Sequence, residues 1–209
     1  MNGATMDTHS TTFFDRLFAD RPVMAILRGL APAQTVALCE RAWEAGIDAV
    51  EVPVQTPDAL PSLRAALAAG RERGRPVGAG TVVSDEQVRL VHEAGVAFTV
   101  APGYDPQVAA RCASLGLPHL PGVATASEIS QALRAGYTWL KAFPAAQLGT
   151  GWVRAQLAPF PGVRFVATGG VDADNAADFL AAGCRVVAVG SALRDPRQLD
   201  MLSRLTRRG

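Results

Sequence analysis

The chain has 209 residues, of which 49% are hydrophobic, enough to bury a sizeable core in one large domain or two small ones. Its formal net charge of +1 argues against a surface for nucleic acid or anionic membranes, and no apolar run is long enough to span a bilayer. The first ten residues lack the basic and apolar segments of a signal peptide, and they predict a disordered tail. We therefore expect neither a nucleic-acid partner nor a membrane partner.

The cysteines and histidines are few and widely separated. The cysteines are Cys39, Cys112 and Cys184. Their spacing and apolar neighbours predict buried thiols in a reducing compartment, so we expect a cytoplasmic protein. His9, His92 and His119 are too dispersed for a site of several histidines, and we expect no metal.

After a short predicted helix over 11–19, apolar strands and amphipathic helices alternate along the chain. The predicted strands are 23–27, 49–54, 77–81, 97–101, 119–120, 139–143, 163–168 and 185–189. The helices that follow them are 32–45, 57–73, 84–95, 106–115, 125–135, 151–158, 172–183 and 193–205.

This alternation predicts a parallel sheet, and eight strand–helix units predict a (β/α)8 TIM barrel with a short N-terminal helix. No shift in composition resembles a linker, so we expect a single barrel domain over residues 1–209. The main alternative is an open doubly wound sheet. The absence of a G-x-G-x-x-G motif after the first strand argues against that alternative.

The carboxyl ends of barrel strands meet at one rim, where TIM-barrel active sites lie. The residues expected there are Arg28, Glu51, Thr81, Pro102, Pro121, Gly122, Lys141, Gly169, Gly170, Gly190 and Ser191. A cation, a carboxylate, a hydroxyl and an amine therefore converge from distant parts of the chain. Glu51 and Lys141 both lie in strongly apolar strands, where charged groups need partners.

Lys141 lies within the apolar run W-L-K-A-F-P over 139–144. Burial there would lower the pKa of its ammonium and produce a neutral amine able to form a Schiff base with a carbonyl substrate. A lysine that reaches water from the strand end is one alternative. A purely structural Lys141–Glu51 pair is another, and both stay open at this point.

Two glycine-containing turns follow the last two predicted strands. Gly169-Gly170 and Gly190-Ser191 are placed where many barrels bind phosphate through backbone N–H groups. The other interpretation is ordinary turn glycine, which explains glycines at strand ends less well than glycines at helix ends. For Thr81, binding of a substrate oxygen and capping of the following loop are both open.

A series of motifs runs in order from Ala25 to Ser191. They are A-I-L-R-G (25–29), E-V-P-V-Q-T-P (51–57), G-A-G-T-V (78–82), A-P-G (101–103), P-G-V-A-T-A-S-E (121–128), L-K-A-F-P-A (140–145), T-G-G-V (168–171) and V-G-S (189–191). Together they resemble the 2-keto-3-deoxy-6-phosphogluconate and 2-keto-3-deoxy-6-phosphogalactonate aldolases, a family that includes 4-hydroxy-2-oxoglutarate aldolases. The resemblance implies class I, Schiff-base aldolases on a (β/α)8 barrel, usually homotrimeric and without metal or cofactor.

The resemblance also implies roles for individual residues. Lys141 resembles the Schiff-base lysine and Glu51 the general acid and base. The residues that resemble substrate-binding positions are Thr81, Pro102 and Phe143 for pyruvate, and Gly169, Gly170, Gly190 and Ser191 for phosphate. Gln55 and Thr168 are also expected to bind the substrate. The phosphogluconate aldolases carry an arginine four residues after the glutamate, where this chain has Gln55. Arg28 is the expected substitute, because a guanidinium can bind a carboxylate with two hydrogen bonds.

Two features bear on the substrate. Gln55, Pro53 and the A-T-A-S-E stretch resemble the phosphogalactonate branch, whereas Thr168 resembles the phosphogluconate branch. We therefore expect cleavage of 2-dehydro-3-deoxy-6-phosphogalactonate to pyruvate and glyceraldehyde 3-phosphate. The alternatives are the phosphogluconate epimer or 4-hydroxy-2-oxoglutarate as substrate, a phosphosugar isomerase or epimerase, and a barrel that binds a phosphosugar without catalysis.

Overall fold

The computed structural model describes residues 8–206, which form a nearly closed barrel of nine parallel strands with alternating helices. The strands are β1 (Val23–Ile26), β2 (Ala49–Pro53), β3 (Val77–Gly80), β4 (Thr99–Val100), β5 (His119–Leu120), β6 (Gly122–Val123), β7 (Trp139–Ala142), β8 (Arg164–Thr168) and β9 (Val186–Val189). The α-helices are α1 (Thr8–Leu17), α2 (Pro32–Glu44), α3 (Leu60–Arg73), α4 (Asp85–Ala94), α5 (Pro106–Ser114), α6 (Ala126–Arg134), α7 (Ala145–Leu157), α8 (Ala176–Ala181) and α9 (Pro196–Thr206). The prediction of a TIM-type barrel is confirmed. None of these helices combines the length and apolarity needed to cross a membrane.

The ninth strand arises because the fifth predicted strand is divided at Pro121. β5 pairs with β4, whereas β6 pairs with β7, so these two short segments are the two edge strands of the sheet. Pro121 has no N–H group for the strand ladder, although its carbonyl accepts a hydrogen bond from the Lys141 N–H at 2.9 Å. The eight predicted units therefore hold, with one strand in two pieces.

Helix α1 begins earlier than predicted and covers the amino-terminal end of the barrel. The expectation of a disordered tail over 1–10 is wrong for residues 8–10, which are helical, while residues 1–7 lie outside the described residues. The Ser10 hydroxyl accepts a hydrogen bond from the His119 N–H at 2.9 Å, a contact that local sequence does not reveal. Phe14 and Phe18 are buried in the cluster of side chains that fills the barrel interior.

Four other predicted helices have different bounds. The segment predicted over 57–73 begins with a short 3₁₀ helix, Pro57–Ala59, before α3, and α8 covers Ala176–Ala181 and not 172–183. Helix α7 starts at Ala145 and not at residue 151, and it is interrupted at Gly149, whose φ is 78°. The last predicted helix is divided into a short 3₁₀ helix, Ser191–Arg194, and α9. The division falls at Asp195, because the proline that follows disfavours the helical conformation of the residue before it.

Alternation along each strand decides which side chains face the interior. Ala49 of β2 and Trp139 of β7 both belong to the interior cluster, whereas Val50 and Leu140 pack outwards against the helices. Side chains two residues apart in a strand share a face. Glu51 and Lys141, which lie two positions after Ala49 and Trp139, therefore point into the barrel near its carboxyl end.

Candidate active site

A cavity of about 440 Å³ opens at the carboxyl ends of β1, β7, β8 and β9. The residues lining it are Ile26, Leu27, Arg28, Leu30, Leu38, Lys141, Phe143, Thr168, Gly169, Gly170, Val171, Asp172, Ala188, Gly190, Ser191 and Arg194. Seven of the predicted site residues line this wall together with the predicted nucleophile, Lys141: Arg28, Phe143, Thr168, Gly169, Gly170, Gly190 and Ser191. A concave site with a few converging polar groups is typical of substrate binding.

Lys141 and Glu51 both point into the barrel and are buried. Lys141 is 3% exposed and Glu51 is 1% exposed. The Glu51 carboxylate packs against β3, where a Cβ on Gly80 would lie only 1.9 Å from its Oε2 atom. That oxygen has no hydrogen-bond partner among the described residues. Within residues 8–206, Lys141 and Glu51 also form no direct ion pair.

Burial shifts both groups towards their neutral forms. It lowers the pKa of Lys141, an effect that the Glu51 carboxylate opposes and the Arg28 guanidinium adds to. Burial also raises the pKa of Glu51, and the charges of Lys141 and Arg28 oppose that rise. Burial therefore shifts Lys141 towards the neutral amine that a nucleophile needs and Glu51 towards the protonated carboxyl that a general acid needs.

The Lys141 amine also faces an aromatic ring. Its Nζ atom lies 4.8 Å from the centroid of the Phe143 ring. Phe143 is half-buried, follows β7 directly and lines the cavity. An apolar ring at this distance limits access of water to the amine and leaves the cavity side of Lys141 open to a substrate.

Arg28 and Thr81 are joined across the rim. The Arg28 Nη2 donates a hydrogen bond of 3.4 Å to the Thr81 hydroxyl. Thr81 has a φ of 59°, in the left-handed region that β-branched residues rarely adopt. Strained backbone of this kind is concentrated at functional sites, because the surrounding structure must hold it in place.

Four predicted site residues lie outside the wall of this cavity: Glu51, Gln55, Thr81 and Pro102. Glu51 and Thr81 remain connected to it through the charge interaction with Lys141 and the hydrogen bond with Arg28. Gln55 is exposed and lines a separate depression of about 300 Å³. Pro102 is half-buried, and its carbonyl packs so closely on Gly122 that a Cβ there would lie 2.1 Å from the oxygen.

Glycine at positions 169 and 170 is required by the backbone, in addition to lining the cavity. Gly169 and Gly170 have φ values of 96° and 70°. A Cβ on Gly170 would lie 2.5 Å from the Cβ of Ala146. Asn175 holds this turn, since its amide donates to the Gly170 carbonyl at 2.9 Å. The fold therefore demands glycine at 170 independently of any ligand.

Sequence reasoning missed two charged residues in the wall, Asp172 and Arg194. Arg194 comes three residues after Ser191, and its charge close to a predicted phosphate turn was a usable signal. A second signal was also overlooked. The chain has 20 lysine and arginine residues, and Lys141 is the only lysine among them.

A family model described as "Aldolase: KDPG and KHG aldolase" matches residues 15–205. The chain belongs to this aldolase family. The family resemblance predicted from the motifs is thereby confirmed, and the aldolase has the barrel and the buried rim lysine on which that prediction depended.

Two curated relatives cover most of the aldolase. It is 37% identical over 178 residues to a "Probable 2-dehydro-3-deoxy-6-phosphogalactonate aldolase" of Rhizobium meliloti, covering 85% of this chain and 84% of the relative. It is 36% identical over 173 residues to the "2-dehydro-3-deoxy-6-phosphogalactonate aldolase" of Escherichia coli, covering 82% and 84%.

Solved structures agree with the aldolase over nearly their whole length. One described as "Native KDPGal structure" has a TM-score of 0.80 and 33% identity, covering 89% of this chain and 94% of the other. A KDPG aldolase from Legionella pneumophila, with pyruvate captured as a covalent carbinolamine intermediate, has a TM-score of 0.78 and 29% identity, covering 91% and 94%.

Proposed function

We propose that this aldolase cleaves 2-dehydro-3-deoxy-6-phosphogalactonate to pyruvate and glyceraldehyde 3-phosphate through a Schiff base on Lys141. The observation that carries the proposal is the position of Lys141, which is buried, lowered in pKa and open to a cavity. The names of the two curated relatives support the choice of substrate.

The first half of the reaction forms the Schiff base. The neutral amine of Lys141 attacks the C2 carbonyl carbon of the substrate, and the carbonyl oxygen takes up a proton to give a carbinolamine. Glu51, directly or through a water molecule, supplies and removes the protons, and loss of water then gives the iminium ion. A carboxyl group whose pKa is raised by burial suits this exchange of protons.

The second half breaks the C3–C4 bond. Glu51 removes the proton of the C4 hydroxyl, the bonding electrons move into the iminium, and glyceraldehyde 3-phosphate leaves. The remaining enamine takes up a proton at C3, and water hydrolyses the resulting imine to release pyruvate and the free amine. A Glu51 carboxylate near the iminium also stabilises its positive charge.

Trapping the intermediate tests this assignment directly. Pyruvate and cyanoborohydride should add one reduced pyruvate to the chain, and Lys141→Met should abolish the adduct. Because Lys141 is the only lysine, the α-amine is the only other primary amine, and peptide mapping separates the two positions. An adduct confined to the α-amine would exclude the Schiff base on Lys141.

Arg28 is proposed to bind the carboxylate of the substrate. It lines the cavity, and its charge interacts with both Lys141 and Glu51. Arg28→Ala should raise KM for the substrate by about tenfold to a hundredfold, the range expected for one charged hydrogen-bonding group. Gln55→Ala is the matched control and should change KM little, because Gln55 lies in a separate depression. Equal effects of the two variants would remove Arg28 from this role.

The configuration at C4 is decided by comparing kcat/KM on the phosphogalactonate and phosphogluconate epimers. We propose a preference for phosphogalactonate. Thr168 resembles the phosphogluconate branch and is buried in the cavity wall, and it therefore supports phosphogluconate as the second candidate substrate. Greater efficiency on the phosphogluconate epimer would reverse the assignment.

Two other functions would keep the barrel and its cavity. An isomerase or epimerase would convert phosphosugars without releasing pyruvate, and a non-catalytic binding barrel would not need Lys141. Release of pyruvate, coupled to lactate dehydrogenase, distinguishes the aldolase from both.

We also propose a homotrimer in the cytoplasm, acting in galactonate degradation. Support for the trimer comes from the family resemblance. The buried thiols of all three cysteines support a reducing compartment. Light scattering should give three times the chain mass of 21.9 kDa, and a monomer mass would overturn the trimer.

A further inference from the structure

Arg194 occupies the mouth of the Lys141 cavity, on the side where the predicted phosphate turns lie. It ends the 3₁₀ helix Ser191–Arg194, which follows β9. Ala192 and Leu193 are buried and fix this helix to the core, whereas Arg194 is exposed and lines the cavity. A fixed backbone therefore presents an exposed cationic side chain at the opening.

The guanidinium of Arg194 is oriented but not neutralised. Its Nη2 donates to the Arg28 carbonyl at 3.4 Å, which leaves the other N–H donors of the five for a ligand. Among residues 8–206 it forms no ion pair with a carboxylate.

The two nearest carboxylates in sequence and in the cavity wall have other hydrogen bonds. Asp195 accepts the Arg197 N–H at 2.8 Å, at the start of α9. Asp172 accepts the N–H groups of Asp174 and Asn175 at 3.0 and 3.2 Å. The positive charge of Arg194 is therefore available to an anion that enters the cavity.

The positions of the groups in the cavity fit a substrate with two different ends. Lys141 is buried and reacts with a carbonyl in the interior, whereas Arg194 is exposed at the mouth. Arg28 extends to the opposite side, towards Thr81. Because β9 pairs with both β1 and β8, Arg194 shares its side of the rim with Gly169, Gly170 and Ser191.

We propose that Arg194 binds the terminal phosphate of the substrate and gives the enzyme its preference for phosphorylated over non-phosphorylated 2-keto-3-deoxy acids. This inference depends on the proposed aldolase function. A guanidinium at this place forms paired hydrogen bonds to a phosphate dianion, and the neighbouring glycine turns allow the phosphate to approach the backbone closely.

The test compares Arg194→Gln with the wild-type enzyme on 2-dehydro-3-deoxy-6-phosphogalactonate and on the same acid without its phosphate. The variant should lose about tenfold to a hundredfold in kcat/KM on the phosphorylated substrate, chiefly through KM, and should match wild type on the other. Arg197→Gln is the control, since Arg197 is exposed nearby but does not line the cavity. It should leave both substrates unaffected.

Three results would overturn the role of Arg194: an equal loss on both substrates, no loss on either, or the same loss with Arg197→Gln. Exchange of the C3 hydrogens of pyruvate with deuterated water needs no phosphate and should be unchanged in Arg194→Gln. Absence of this exchange in the wild-type enzyme would instead contradict the proposed Schiff-base chemistry, so the two failures are distinguishable.

Discussion

Lys141 and Glu51 would carry opposite charges in water, yet burial favours the neutral form of each. A fully ionised pair would gain attraction, but desolvation of two charges in a low-dielectric interior commonly exceeds that gain. The structure agrees with this balance, because the two groups form no direct ion pair within the described residues. Chemistry benefits from the neutral pair, because only an unprotonated amine can attack a carbonyl.

Gly80 determines where the Glu51 carboxylate lies. We expect Gly80→Ala to displace Glu51, because the new Cβ would lie 2.6 Å from its Cδ atom. A displacement of about 1 Å at a catalytic group can cost about a hundredfold in rate, so kcat should fall by that order. Steady-state kinetics of pyruvate release measures the effect.

Gly78→Ala provides the matched control on the same strand. Its Cβ would lie 2.4 Å from the Phe98 ring, in the barrel interior, and not against Glu51. Both variants should lose about 1–3 kcal/mol of stability from overpacking, but kcat should fall much further in Gly80→Ala. A similar kcat in the two variants would contradict the positioning role of Gly80.

Among the secondary-structure elements, most strands were predictable because they are short apolar runs with a glycine or proline at or near their carboxyl ends. The helix starts were predictable where side chains cap them, as Ser84 caps α4 by accepting the Gln87 N–H at 3.2 Å. Contacts between distant elements were not predictable. Buried Ser10, for example, accepts a hydrogen bond from the N–H of His119, which is 109 residues away along the chain.

Helix α1 closes the amino-terminal end of the barrel. Phe14 is fully buried and its ring packs edge-on against Phe98, with centroids 5.7 Å apart. We expect Phe14→Ala to lower the free energy of unfolding by about 3–5 kcal/mol, measured by urea denaturation, because it leaves a cavity.

The half-buried Phe13 provides a comparison for that variant. Phe13→Ala should cost less than Phe14→Ala, since less apolar surface is lost. Neither variant should change KM by more than about twofold, because KM depends on substrate contacts at the carboxyl end of the barrel and not on the packing of α1 at the other end. A stability loss in Phe14→Ala no larger than in Phe13→Ala would show that α1 does not seal the barrel.

Over the whole molecule, the site could be predicted because parallel strands bring their carboxyl ends to one rim. This placed Lys141, Arg28 and Ser191 in one cavity although they are distant in sequence. Residues on the connecting loops were harder to place, because no periodicity fixes their direction. For that reason Gln55 was expected in the site but lies outside its wall. Arg194 was missed because its segment was assigned to the last predicted helix and not to the rim.

The buried pair also affects the stability of the whole fold. The pKa of Glu51 is raised on folding, so the unfolded state loses its proton first and folding is penalised as pH rises above 4.5. The pKa of Lys141 is lowered on folding, so folding is penalised at low and neutral pH, and the penalty disappears as pH approaches 10.5. Both penalties therefore act together near pH 7.

Replacing both groups by methionine should remove these penalties. We expect Glu51→Met/Lys141→Met to be inactive but about 1–4 kcal/mol more stable at pH 7, because two buried ionisable groups that are costly to desolvate become apolar. Compared with Lys141→Met alone, the additional gain from Glu51→Met should shrink at pH 4, where the unfolded state also holds most of the Glu51 proton. Urea denaturation of the wild-type protein and the two variants at the two pH values measures these differences. An equal additional gain at both pH values would mean that ionisation of Glu51 does not oppose folding.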